Sequence, residues 1–237
     1  MLSIYHDNGY SFFKLGEEGC IDLDEFKMSS NMKRNYNKTM KTFEEEGYSL
    51  EFLEPPFSDD LIYKLKSVSD EWLGDRKEKG FSIGFFNRDY LERASVYVLK
   101  DKNDEIKAFM SLRPYYDDNY NISIDLMRHK KDSPSGTMDA MFIGIIHWAK
   151  ENNYKRFIIG MAPLSNVGLN KFSRGEEKLA YLLYKYGKSI YGFVGLRMYK
   201  EKFKPNWEPK YLCYDNLSSL PKIWIETAML ISDSEKL

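Results

Sequence analysis

The most constraining feature of this sequence is one change of hydrophobic period in its middle. Three stretches alternate as β-strands do, Ala94–Leu99, Ile106–Leu112 and Asn121–Met127. The loop Asp132-Ser-Pro-Ser-Gly136 then opens a helical run from Thr137 to Asn152, and another strand pattern, Lys155–Met161, follows it. Asp101-Lys-Asn-Asp104 reads as a turn, so the first two stretches pair as an antiparallel hairpin, and Tyr115–Tyr120 adds the third as a meander. A helix over Gly175–Tyr186 and a final strand within 190–214 complete the order. The fold class that follows is α+β, a mixed, mostly antiparallel sheet flanked by helices.

Upstream, residues 2–5 and 10–14 are β-prone and joined by Asp7-Asn8-Gly9, which predicts a hairpin or two edge strands. Ser29-Ser30-Asn31 caps a helix that stops at Gly47. Asp59–Trp72 carries Leu61, Ile62, Leu65, Val68 and Trp72 at helical spacing and buries one face. With 237 residues, 43% of them hydrophobic, the chain is long enough for one substantial core, and disorder, collagen and coiled coil are excluded.

Several chemistries lack their signatures. His6, His129 and His147 are far apart, Cys20 and Cys213 sit at no ligand spacing, and no Gly-x-Ser-x-Gly elbow or Walker loop is present. No metal is expected, and His147, in the middle of an apolar helix, reads as a core or groove histidine. Two cysteines make no disulfide framework, which fits a reducing cytoplasm. MLSIYHDNGY has no secretory pattern, and no apolar run reaches the roughly 18 to 20 residues of a spanning helix.

The charges balance, 35 Lys and Arg against 36 Asp and Glu, but they are segregated. Lys33, Arg34, Lys38 and Lys41 occur without an acid between Met28 and Thr42, and Glu44, Glu45 and Glu46 follow. Cations early and anions late oppose the helix dipole, which favours a phosphate-facing patch, although a solvated helix face accounts for the run as well. Arg197, Lys200, Lys202, Lys204 and Lys210 interleave with Phe203, Trp207 and Tyr211, a nucleic-acid signature that an amphipathic surface strand would share. Asp125 and Arg128 end a strand. They lie on opposite faces if it is regular and converge if it bends at Arg128, the alternative being a surface ion pair. The Gly- and aromatic-rich loop 74–94, with Phe81, Phe85, Phe86 and Tyr90, has the composition of a pocket lining. Gly160–Ser165 is a strand end running into a Pro-containing loop.

The order of elements resembles the GNAT acyltransferase core, in which the loop before the central helix faces an acyl donor's phosphates. Ser135 or Gly136 is the expected cap here, and the single glycine departs from the pattern of the acetyl-CoA-binding members. The strings KLGEEG (14–19), SSNMKRNYNKTMKTFEEEGY (29–48), SDEWLGDRKEKGFSIGFFNRDYL (69–91), DLMRHKKDSPSGTMDAMF (125–142), IIGMAPLS (158–165) and GLRMYKEKFKPNWEPKYL (195–212) are more specific. Together they are similar to the C-terminal catalytic region of the bacterial phosphatidylglycerol lysyltransferases, the multiple peptide resistance factor family.

That resemblance implies an enzyme, an aminoacyltransferase moving a lysyl or sometimes alanyl group from aminoacyl-tRNA to the glycerol hydroxyl of phosphatidylglycerol. The product changes membrane charge and confers resistance to cationic antimicrobial peptides. The donor ester is already activated, so no cofactor is implied. The resemblance assigns Asp125 and Arg128 to the reacting centre, with Arg128 on the lipid phosphate or the developing oxyanion, and, among substrate contacts, Asp139 to the lysyl group and Lys200 and Lys202 to phosphate at the tRNA acceptor end. Lys33, Arg34, Lys38 and Lys41 become peripheral tRNA contacts. Composition adds Phe81, Phe85 and Phe86 as apolar lining. The resemblance further implies that 1–25 are N-terminal strands left from the junction with a missing first GNAT-like half, that 26–237 form the GNAT-like transferase domain, and that the site of action is the cytoplasmic face of the bacterial membrane. A peptidoglycan-type tRNA-dependent aminoacyltransferase, a non-catalytic tRNA- or lipid-binding half-domain and an acetyl-CoA-dependent N-acetyltransferase are the alternatives.

Overall fold

The computed structural model describes residues 2–76, 78, 84–115, 120–186, 193–215 and 220–232. Along the chain come α1 (Leu2–Asp7), β1 (Ser11–Asp22), α2 (Ser30–Glu46), β2 (Ser49–Leu53), α3 (Asp59–Leu73) and α4 (Arg88–Leu91). Then follow β3 (Val96–Lys100), β4 (Ile106–Pro114), β5 (Asn121–His129), α5 (Thr137–Glu151) and β6 (Arg156–Pro163). The chain continues through α6 (Gly175–Tyr186), α7 (Phe193–Glu201), β7 (Asn206–Tyr214) and α8 (Leu220–Ser232). Two compact units result, a larger one built on Asp22–Phe157 and a smaller one that joins Met1–Ile21 to Ile158–Met229.

In the larger unit four strands run in the order β2-β3-β4-β5, each pair antiparallel. Alternation along β3 sends Val96 and Val98 to one face and Tyr97 to the other. On the first face α3 supplies Leu65 and Val68, which pack with Val96, Val98, Phe109 and Leu126 in a core cluster whose members are at most 4% exposed. On the second face α5 approaches so closely that a Cβ on Gly144 would lie 2.3 Å from the Tyr97 hydroxyl, so only glycine fits. Phe52 of β2 stacks on Tyr97 at 4.1 Å and on Trp148 of α5 at 4.6 Å. Outside α5 lies α2, with Tyr36 edge-on to His147 at 6.0 Å and Thr39 pressed on Gly136. His147 is exposed, so the core reading of it is corrected.

The helix ends follow the sequence signals. Ser29 and Ser58 cap α2 and α3, each hydroxyl accepting a backbone N–H at 3.2 Å, and Gly47 closes α2 at φ +78°. Gly136 is the N-cap of α5, at φ +86°.

The smaller unit orders its strands β6-β1-β7. β1 and β7 are antiparallel from Ser11↔Tyr214 to Cys20↔Asn206, with one shift between Lys14 and Gly16. That shift needs glycine. Gly16 stands at φ +147°, and a Cβ there would meet the Ala162 carbonyl oxygen at 2.5 Å. The close approach lets the Leu15 carbonyl accept the Leu164 N–H at 2.8 Å. Phe13, Val167, Ala180, Tyr214 and Leu220 form the unit's core cluster.

Two expectations are corrected. Residues 2–5 form α1, not a strand. Asn8 caps the Ile4 carbonyl at 2.8 Å and Gly9 turns at φ +83°, so the dipeptide read as a hairpin turn stops a helix instead. The run 190–214 is not one strand; α7 and β7 are joined through a turn with Lys204 at φ +50°. β1 pairs throughout with β7, and the boundary between the units falls at Ile21.

Candidate functional site

Asp125 and Arg128 are positioned by an irregularity in the sheet. Met110 pairs with Met127 but Leu112 with Ile124, so Asp125 and Leu126 together face Ser111, whose hydroxyl accepts the Leu126 N–H at 3.0 Å. This β-bulge re-aims the strand at Asp125 and not, as anticipated, at Arg128. Both side chains then reach the segment between α3 and β3, each with partners of its own.

Asp125 is half-buried, and its Oδ2 accepts a short hydrogen bond from the Tyr90 hydroxyl. Burial first, and the carboxylate beside it second, push the Tyr90 phenol up to about 12, so it donates at any physiological pH. Phe85 stacks on Tyr90 at 5.3 Å, and Arg93 lies over the same ring at 5.8 Å. Gly84 closes the arrangement, since a Cβ there would lie 2.5 Å from both Asp125 oxygens. The backbone of 84 therefore touches the carboxylate, which any larger residue would displace. Phe86 turns away onto Phe109 in the core, at 6.2 Å.

Arg128 is 3% exposed. Its guanidinium holds Glu78 with two bonds, 2.8 and 2.5 Å, bonds Ser69 on α3, and lies 5.1 Å from the Trp72 ring centroid. Such a fork is a rigid tie between β5 and α3, its charge already matched. Asp139 is half-buried in the first turn of α5. Phe81 lies outside the described residues.

In the smaller unit Lys200 and Lys202 separate. Lys200, at the end of α7, is 6% exposed and its Nζ donates to the Met161 carbonyl at 2.9 Å, beside Gly160 at φ +79°. Burial lowers its ammonium to about 8 against weak support from Glu18. A lysine that exchanges its proton near neutrality is a candidate functional group. Lys202 is exposed, 4.3 Å from the Tyr199 ring centroid. The two lysines therefore do not share one surface.

Nearby, Glu17 of the KLGEEG string joins Lys14 at 2.8 Å, Asn166 at 2.9 Å and Arg197 at 2.5 Å. Arg197 also bonds Ser165 at 2.9 Å and lies 4.1 Å from the Trp207 ring centroid. Burial opposes the Glu17 charge, yet the bonds from Lys14, Arg197 and Asn166 hold its carboxyl below the ordinary range. This network explains why two of the sequence strings, 14–19 and 195–212, meet.

On α2, Lys33, Arg34, Lys38 and Lys41 are all exposed. Lys41 pairs with Glu45 at 3.6 Å, and the other three have no ion pair among the described residues. Sequence reasoning missed the parts that hold Asp125: the bulge, the Gly84 contact and the Tyr90 bond. The signal was the Gly- and aromatic-rich loop itself. Among the described residues no group of three His, Cys, Asp or Glu is arranged for a metal, and no helix is long and apolar enough to cross a membrane.

Antiparallel strands that lead through a glycine-capped turn into a central helix, with a carboxylate presented at a bulge beside that turn's strand, define a GNAT-like acyltransferase fold. Comparison makes this specific. Residues 1–214 match the family model "Phosphatidylglycerol lysyltransferase, C-terminal", and the chain belongs to that family. A phosphatidylglycerol lysyltransferase of Bacillus subtilis is 44% identical over 235 residues, 99% of this chain and 27% of the relative. One from Staphylococcus xylosus is 44% identical over 92% of this chain and 26% of its own length. The chain thus spans about a quarter of the curated relatives it matches. The solved structure of L-PGS from Bacillus licheniformis superposes with TM-score 0.82 at 48% identity, over 97% of this chain and 70% of that one. The C-terminal domain of a putative lysylphosphatidylglycerol synthetase from Agrobacterium fabrum gives 0.80 at 33%, over 98% and 69%. FemX shares the fold, with TM-score 0.55 at 10% identity, over 94% of this chain and 70% of its own.

Proposed function

We propose that this chain carries the chemical step of aminoacyl transfer, moving a lysyl group from lysyl-tRNA to a glycerol hydroxyl of phosphatidylglycerol. The match of residues 1–214 to the C-terminal family of the phosphatidylglycerol lysyltransferases carries this reading. In the reaction the glycerol oxygen bonds to the ester carbonyl carbon, the bond from that carbon to the tRNA ribose oxygen breaks, and the glycerol proton ends on the ribose oxygen. No redox change occurs, and the enzyme's task is positioning and charge.

Asp125 is the group at the reacting centre. Tyr90 occupies Oδ2, which leaves Oδ1 to steer the glycerol proton or to hold the ammonium of the aminoacyl group. Arg128 keeps β5 and α3 in register behind it, a positioning role that its burial and the Glu78 pair support better than direct phosphate contact. Lys200, poised near pH 8, supplies or yields a proton to a substrate oxygen, and Asp139 is a second acid for the lysyl side chain. Phe85 offers apolar surface beside Asp125, and Lys202 an exposed cation for tRNA phosphate. The exposed cations of α2 contact the tRNA backbone. Phosphatidylglycerol places the work at the cytoplasmic face of the membrane, with the rest of a longer protein as partner.

The test is transfer of radiolabelled lysine and alanine from charged tRNA into chloroform-extractable lipid, with phosphatidylglycerol vesicles and Asp125→Ala as control. Lysine label in lipid that disappears in the variant is the expected result. Label from alanine alone would correct the donor. Lipid label that persists in Asp125→Ala would remove that residue from the reaction, and absence of any label with the wild-type chain would overturn transfer by this chain alone.

A further inference from the structure

The stretch from Leu169 to Lys185, in the smaller unit, exposes apolar side chains to an extent the fold does not require. Phe172 is 81% exposed, Leu169 63%, Leu179 54% and Leu182 50%. Isolated exposed apolar residues are ordinary, but four within fourteen positions form a patch. On α6, Leu179 and Leu182 fall on the side that also carries Lys178 and Lys185, at spacings of three, four and seven. Ala180, on the other side, is buried, and Tyr181 and Tyr184 are half-buried.

The fully exposed charges of this stretch are of one sign. Lys171, Arg174, Lys178 and Lys185 are exposed, whereas the stretch's two acids, Glu176 and Glu177, are half-buried. Glu177 is engaged, its Oε2 accepting the Arg174 N–H at 2.9 Å. Lys171 lies 4.8 Å from the Phe172 ring centroid, so the most exposed aromatic sits directly beneath a cation.

The patch is also held in place. Gly168 stands at φ +70°, where a Cβ would lie 2.1 Å from the Glu177 carbonyl oxygen, which fixes the loop against α6. Asn170 accepts the Phe172 N–H at 3.1 Å through its side chain and the Ser173 N–H at 3.0 Å through its carbonyl. Phe172 is thus presented by hydrogen-bonded backbone, not left at a fraying tip.

We propose that the Leu169–Lys185 face is a docking surface for an anionic lipid bilayer. Apolar side chains that each stand within three residues of a cation match the two layers of such a surface, acyl chains below and phosphates above. Lysine stems lie along the apolar layer while their ammonium groups stay with the headgroups. A protein partner's groove would favour a contiguous apolar stripe without this interleaving. The inference rests on the lipid-acceptor reading only for its purpose, since docking is measured without any transfer.

The experiment is co-flotation of the full chain with vesicles of phosphatidylglycerol and phosphatidylcholine, and with vesicles of phosphatidylcholine alone. Binding to the anionic vesicles should fall about tenfold or more in Phe172→Ser/Leu179→Ser/Leu182→Ser. It should lose its preference for them in Lys171→Glu/Lys178→Glu/Lys185→Glu. Transfer to a short-chain, monomeric phosphatidylglycerol should be unchanged in both, so failure of docking and failure of transfer are separable. Phe172→Trp with brominated acyl chains gives a readout that does not depend on the triple variants folding, and quenching beyond that of the wild type is expected. Unaltered vesicle binding in both variants, or no added quenching, overturns the proposal. A self-association of the wild type that the apolar variant abolishes in the absence of lipid also overturns it, and makes a second copy the occupant.

Discussion

Tyr90 and Gly84 act on Asp125 in different ways, and their substitutions should separate. Tyr90→Phe removes the donor to Oδ2 but keeps the ring that stacks on Phe85. The loss of one charge-assisted bond in a polar site corresponds to about tenfold in kcat, with KM for tRNA little changed. Gly84→Ala instead pushes a methyl group to within 2.5 Å of the carboxylate oxygens, and should lower transfer at least as far while the far-ultraviolet circular dichroism is retained. Steady-state kinetics of the two variants is the check. Lys200 makes an opposite prediction for stability. In the folded chain its ammonium deprotonates at about 8, in the unfolded chain at its ordinary 10.5, so the unfolded state holds more protons between those values. Stability therefore rises with pH across that window, and the full cost of the buried charge is present below pH 8. Lys200→Met should accordingly be more stable than the wild type at pH 7, by about 2 kcal/mol, with the difference shrinking toward pH 10.5 in urea titrations.

At the scale of elements, the Arg128 guanidinium adds to the apolar packing of β5 on α3 a polar tie, to Ser69 of the helix and to Glu78 just beyond it. Arg128→Ala strands the Glu78 carboxylate and the Ser69 hydroxyl, and should cost about 3 kcal/mol in chemical denaturation. Loss of transfer in that variant therefore reports the scaffold before it reports any contact with substrate, and Arg128→Lys, which keeps the charge but not the fork, should recover little. The same scale shows what the sequence made legible. The spans of α2, α3, β3, β4, β5, α5 and β6 agree with the patterned stretches to within a few residues, because each carries a period of buried residues or, in α2, where only Phe43 is buried, clear capping residues at both ends. β2 escaped notice, being a five-residue edge strand with only partial burial. α1 was misread because Ile4 and Tyr5 favour strands, yet no strand pairs with them in the fold, and Asn8 supplies a helix stop instead. The bulge at Asp125 could not be read from a periodic pattern, since a bulge is a departure from the period and is specified by the partner strand.

For the molecule as a whole, a net charge of −1 conceals the segregation that matters for a polyanionic partner. Lys33, Arg34 and Lys38 stand exposed without ion pairs among the described residues, so binding of tRNA should weaken steeply between 50 and 200 mM salt, both being concentrations to set in the assay. Arg34→Ala/Lys38→Ala should lower the slope of log K against log salt by about 2 without altering which amino acid is transferred, as filter binding and charged-tRNA competition would show. A slope unchanged in that variant would move the tRNA to another face. One feature of the fold sets a timetable as well. β1 takes its neighbour β7 from the far end of the sequence, Cys20 opposite Asn206, whereas the larger unit draws its four strands from the single stretch Asp22–Phe157. On a ribosome adding about 5 to 20 residues per second, the first strand waits roughly 10 to 40 s for that neighbour to be made. The four strands of the larger unit can pair before then, so the smaller unit is the last to close, and the edge of β1 that β7 will cover, with β6 already available on the other, is what a chaperone or a protease would meet on the nascent chain.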